Sequence, residues 1–139
     1  MKFIKIKTKD ELNLFLDKIW NFHDSVISKI TYLSGSTGDK TASCPFDSKR
    51  KLIVRFESVR VDEDWVDGLE LKFDKLERIF IAPTEEDYTT NIMFADIKII
   101  NGKFVFANDK ITDEFTFDYK EKFVYFIVSQ NLSYRFFNK

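Results

Sequence analysis

The chain has 139 residues, 44% of them hydrophobic and 32% charged, and its 22 basic and 23 acidic side chains leave a net charge of −1. That length suits a single domain over residues 1–139, and the composition argues against a disordered or membrane-embedded class. A balanced charge supplies no whole-protein field toward nucleic acid or anionic lipid, so neither is expected as a partner, although a local patch stays open.

Sixteen of the aromatic residues are Phe, enough to fill a dense core. Cys44 is the single cysteine, which excludes an internal disulfide and a multi-cysteine zinc site and fits a reducing cytoplasm. The N-terminal stretch from Met1 to Lys7 alternates charged with apolar residues, so no secretion signal is expected, and no apolar run approaches the ~20 residues a membrane helix needs.

Lys2 to Lys7 has the two-residue period of a short edge strand. Thr8 and Glu11 stand at capping-box spacing, which predicts a helix from about Lys9 to Asn21 with Leu12, Phe15, Leu16, Ile19 and Trp20 on its apolar face. Ser25 to Leu33 follows as a strand, with Val26, Ile30 and Tyr32 on one side. Ser34 to Ser43 collects small and flexible residues and is expected to be the most mobile loop.

Lys51 to Val59 resumes as a strand before the Asp62-Glu63-Asp64 turn, and Trp65 to Phe73 gives another, with Gly68 as a candidate bulge. Lys75 to Ala82 fits helix and strand equally. Asn101-Gly102 predicts a type I′ hairpin that pairs Ile100 with Lys103, Ile99 with Phe104 and Ile97 with Phe106. Glu114 to Lys120, Phe123 to Gln130 and Leu132 to Phe137 complete the expected strands. The sum is an α+β fold: an N-terminal helix packed on a largely antiparallel curved sheet or open β-barrel of about seven or eight strands.

His23 is the only histidine, beside Asp24 and Ser25 at the junction of helix and strand. An imidazole oriented by a carboxylate can act as a base near neutral pH, which makes His23, Asp24 and Ser25 the candidate catalytic residues. Neighbours on an extended segment point to opposite faces, however, which argues against a direct pair and for a structural joint. Asp62-Glu63-Asp64 lacks the glycine and spacing of a calcium loop, and Glu85-Glu86-Asp87 reads equally as a hydrated turn, so no metal is expected. Either run offers an acidic face to a basic partner. Trp65, Asp62 and Asp64 are the candidate binding residues, since exposed Trp is common among energetic hot spots. Cys44 before Pro45 has no second histidine to activate it, and no glycine-rich phosphate loop occurs, so no cofactor is expected. Lysines alternating with aromatics, as in Lys103 to Phe106, fit a sheet with one buried and one wet face better than a nucleic-acid surface.

The segment Phe22-His23-Asp24-Ser25-Val26-Ile27, with the hydrophobic strand through Ile30 and Tyr32, resembles a motif of small uncharacterised bacterial proteins. Some of these look like immunity proteins of polymorphic-toxin systems. The match covers under ten residues. It implies a cytoplasmic domain that binds and blocks one toxin-like protein partner, and it assigns no catalytic residue. A small hydrolase or ligand-binding enzyme using His23 with Asp24 or Ser25 is the alternative.

Overall fold

A computed structural model describes residues 2–41, 49–81, 91–92, 95–111 and 125–139. Cys44, the Glu85-Glu86-Asp87 run and the expected strand from Glu114 to Lys120 lie outside the described residues. The elements are β1 (Ile4–Ile6), α1 (Lys9–Lys18), a turn over Trp20–Phe22, β2 (Ser25–Leu33), β3 (Lys51–Val61), β4 (Asp64–Ile81), β5 (Asn91–Ile92), β6 (Asp96–Ile100), β7 (Lys103–Ala107) and β8 (Tyr125–Phe137). The strands form one antiparallel sheet in the order β5-β2-β3-β4-β8-β7-β6, with β1 added to β8. Among the described residues the outer strands β5 and β6 are not paired with each other, so the sheet they form is open. The result is the α+β architecture expected from the sequence. No helix among the described residues is long and apolar enough to cross a membrane.

The helix starts where the capping pattern puts it. Thr8 Oγ1 accepts the Glu11 amide at 3.1 Å and the Glu11 carboxylate accepts the Lys7 amide at 2.7 Å, so two otherwise unpaired donors are satisfied. It ends three residues earlier than expected, at Lys18, because the next residues turn left-handed. Leu12, Phe15 and Leu16 face the sheet, and the Phe15 ring stacks on Tyr134 of β8 at 4.3 Å between centroids.

Strand parity is corrected by bulges. Ile27 pairs with Phe56 and Ile30 with Val54, so the extra residue between them brings both isoleucines to the core side despite their odd spacing. The expected alternation through Val26, Ile30 and Tyr32 therefore holds only in part: Ile27 is buried and Tyr32 is exposed. A second register shift between Leu76 and Arg78 lets β4 run unbroken for 18 residues, which settles Lys75 to Ile81 as strand. Tyr125 to Phe137 is likewise one strand where two were expected. The Asn101-Gly102 hairpin has the anticipated register, with φ of 52° and 75° at the two turn residues.

Gly68 is not a bulge. The ladder passes through it without a shift, pairing it with Glu57 on one side and Phe137 on the other. Its role is close approach: a Cβ there would strike the Phe137 ring and lie 2.5 Å from the Phe56 carbonyl oxygen. Gly68→Ala is expected to cost about 1–3 kcal/mol through overpacking. The midpoint of urea denaturation measures this, and an unchanged midpoint would mean that the strand yields freely.

The main core joins Phe22, Phe56, Phe73 and Phe106, whose rings lie 4.8–6.2 Å apart in the contacts Phe22–Phe56, Phe22–Phe106, Phe56–Phe106 and Phe73–Phe106. A smaller cluster of Val105, Ala107, Ile111, Phe126 and Val128 lies apart from it, so β7 and β8 bury residues of both parities. Burial raises the Tyr125 phenol above its usual 10.0. As pH rises the unfolded phenol loses its proton first, so the folded state holds more protons there; stability is intact below about pH 10 and falls above it. Thermal melts between about pH 8 and about pH 11 are expected to show a shallower alkaline decline in Tyr125→Phe. Equal declines in both proteins would refute the assignment.

Candidate functional site

Among the described residues, the joint after α1 gathers the densest run of left-handed backbone. Trp20, Asn21, Phe22 and Asp24 all have positive φ, at 55°, 50°, 62° and 64°. For residues bearing a Cβ such a conformation costs roughly 1–2 kcal/mol each, so the surroundings must enforce it. They do so from three sides. The Asp62 amide donates to the Lys18 carbonyl at 2.8 Å, the Ala95 amide to the Asn21 carbonyl at 3.2 Å, and the His23 amide to the Trp20 carbonyl at 3.0 Å. Phe22 is driven fully inside, between Phe15, Phe56 and Phe106.

This turn changes the outcome for the single histidine. Asp24 is left-handed and not extended, so its carboxylate swings to the histidine side and Oδ2 lies 2.9 Å from His23 Nδ1. The pairing that strand geometry argued against is therefore present. Both side chains are about half exposed. Ser25 departs from them: it opens β2 with no exposed surface, and its Oγ has no hydrogen-bond partner among the described residues. A hydroxyl so placed offers an external substrate no approach. Of the three candidates the structure brings two together and turns the third inward.

The same turn builds a second feature. The Trp20 indole donates its Nε1–H to the Asp62 carbonyl at 2.6 Å, and the Arg60 guanidinium carbon lies 3.9 Å from the centre of the Trp20 ring. Arg60 is directly opposite Trp65 in the β3–β4 ladder, and opposed side chains on neighbouring strands lie within contact range. Trp20, Arg60 and Trp65 therefore share one region of surface, with the tryptophans 45% and 56% exposed. Asp62, Glu63 and Asp64 stand exposed at the adjoining hairpin turn. Of these residues the sequence pointed to Trp65, Asp62 and Asp64. It missed Trp20, whose spacing assigned it to the apolar helix face, and Arg60, which carries no local signal. Asn21 was the one hint, because Asn tolerates left-handed φ better than most residues.

A groove of about 660 Å³ runs between α1 and the outer strand β6, with Asn13, Asp17 and Asn21 on one side and Asp96 and Lys98 on the other. Asp96 and Lys98 are already engaged, by the Ile111 amide at 3.0 Å and the Ile111 carbonyl at 2.6 Å. Among the described residues no three His, Cys, Asp or Glu side chains converge as a metal site would require. Comparison of the chain with protein-family models, with curated proteins and with solved structures returned no match.

Proposed function

We propose that this protein is a partner-binding domain of the immunity type, acting in the bacterial cytoplasm by holding a basic protein partner against the Trp20–Arg60–Trp65 surface and so neutralising it. The observation that carries the reading is the exposure of two tryptophans around an arginine, the residue types that supply most interface binding energy. Part of their ordering cost is already met, because Trp20 is held by its hydrogen bond to Asp62 and by the Arg60 guanidinium. The exposed Asp62, Glu63 and Asp64 set the charge of the partner, since an acidic rim steers and orients a basic surface.

The test is co-purification from native cells with the tagged chain and its Trp65→Ala variant in parallel. Support requires a basic protein that elutes with rising salt and that the variant fails to retain. Recovery of the chain alone, or identical retention by both proteins, would count against the reading.

The His23–Asp24 contact favours a second reading, in which this surface belongs to an enzyme or ligand-binding protein. With Nδ1 committed to Asp24, the imidazole has Nε2 left to meet a ligand or water.

A further inference from the structure

We propose that the surface shared by β1, β8, β4 and β3 carries a second site, which binds a small multiply phosphorylated anion. Lys5 of β1 and Lys72 of β4 both pair with Ser133 of β8, from opposite sides. The three residues form one row across three strands, and the two lysines leave the backbone about 10 Å apart. Two residues along, Asp74 pairs with Lys51 on one side and Asn131 on the other. Residues two apart on a strand share a face, so this second row lies beside the first.

Together the rows surround a hollow of about 400 Å³, lined also by Lys49 and Lys75. Among the described residues five lysines line it, of which Lys49 has a further partner of its own, against the single carboxylate of Asp74, so this surface is locally basic in a chain whose total charge is −1. Asp74 lies 3.7 Å from Lys72. Like charges held close repel, and a bound anion relieves that repulsion. The hollow is also partly organised beforehand, because the Phe3 ring holds the Lys72 ammonium 4.5 Å from its centre.

Three features select the ligand class. Ammonium groups bind phosphates as point charges, and several of them spread over the hollow suit several phosphoryl groups better than one. The volume falls within the roughly 300–1,000 Å³ of small-molecule sites. Among the described lining residues Phe3 is the aromatic one, and its ring is already taken by Lys72 and by the Arg135 guanidinium at 4.3 Å, so it offers no platform on which nucleic-acid bases could stack. This site and the tryptophan surface lie at opposite ends of the β3–β4 ladder, which runs from Lys51–Asp74 to Val61–Asp64, about 30 Å apart. Either proposal can therefore fail alone.

Calorimetric titration of the full chain with inorganic triphosphate tests the site. The expected result is saturable one-to-one binding that weakens with salt, is reduced about ten-fold or more in Lys5→Gln and in Lys72→Gln, and is unchanged in Lys29→Gln, whose lysine lies on β2 outside the hollow. Thermal melts of each variant establish that it is folded. A parallel titration with a nucleoside triphosphate separates the sources: equal affinity identifies the phosphate chain as the recognised group, and tighter binding adds the nucleoside. Absence of saturable binding, or equal affinity in both hollow variants, would overturn the proposal. So would a single-stranded oligonucleotide that binds through the same lysines more tightly than triphosphate does, since the site would then read a nucleic-acid backbone.

Discussion

Phe22→Ala is expected to remove about 3–5 kcal/mol of stability, the cost of deleting a fully buried ring. Phe22 touches Phe15 of the helix, Phe56 of β3 and Phe106 of β7, so it ties the helical layer to two strands. Such a loss is a large share of the roughly 5–15 kcal/mol that holds a typical domain together. A second consequence separates this ring from an ordinary core residue. Phe22 sits at φ 62°, and burying its ring helps to hold the neighbouring left-handed residues in place. The variant should therefore lose order at Trp20 and His23 before it unfolds globally, visible as faster amide exchange there in native conditions. Phe22→Leu, which keeps most of the volume, should cost clearly less. A loss below about 1 kcal/mol in the alanine variant would show that the joint is held by its backbone bonds alone.

Trp65→Ala is expected to lower partner affinity about thirty-fold or more, which corresponds to the roughly 2 kcal/mol that defines an interface hot spot. Stability should change little, because Trp65 is 56% exposed. His23→Gln is the companion variant. It removes the imidazole while leaving a polar group of similar reach, and under the partner-binding reading its effect on affinity should be small. The opposite pattern, intact binding in Trp65→Ala together with loss of a measurable turnover in His23→Gln, would transfer the function to the His23–Asp24 pair. Surface plasmon resonance with the co-purified partner measures the affinities, and the salt dependence of the association rate reports the acidic turn beside Trp65.

Local chemistry made much of the fold legible. Thr8 and Glu11 identify the helix start because capping is a bond between residues three apart, and Asn101-Gly102 identifies a hairpin because two positive φ angles suit few other pairs. The failures have one cause. Val26, Ile30 and Tyr32 alternate in the sequence, but a bulge reverses parity after Ile27, and nothing in the segment itself marks where the extra residue goes. Gly68 looked like such a bulge and proved to be space for Phe137, a residue 69 positions away. Lys75 to Ala82 was undecidable locally because either period fits; pairing with β8 decided it as far as Ile81.

By itself the sequence determined the class of the protein: an N-terminal helix, many antiparallel strands, a phenylalanine core, and the identity of its single histidine. These follow from periodicity, capping and turn chemistry, all of which act over a few residues. Tertiary structure decided the site. The left-handed path from Trp20 to Asp24 is disfavoured locally and exists because Asp62, Ala95 and the buried Phe22 ring hold it from outside. That path brings His23 and Asp24 together, leaves Ser25 inside, and sets Trp20 beside Arg60. Strand register likewise gathered Lys5, Lys51 and Lys72 from three separate segments around one hollow. Such groupings depend on contacts between distant parts of the chain, and no local pattern of charge or hydrophobicity encodes them.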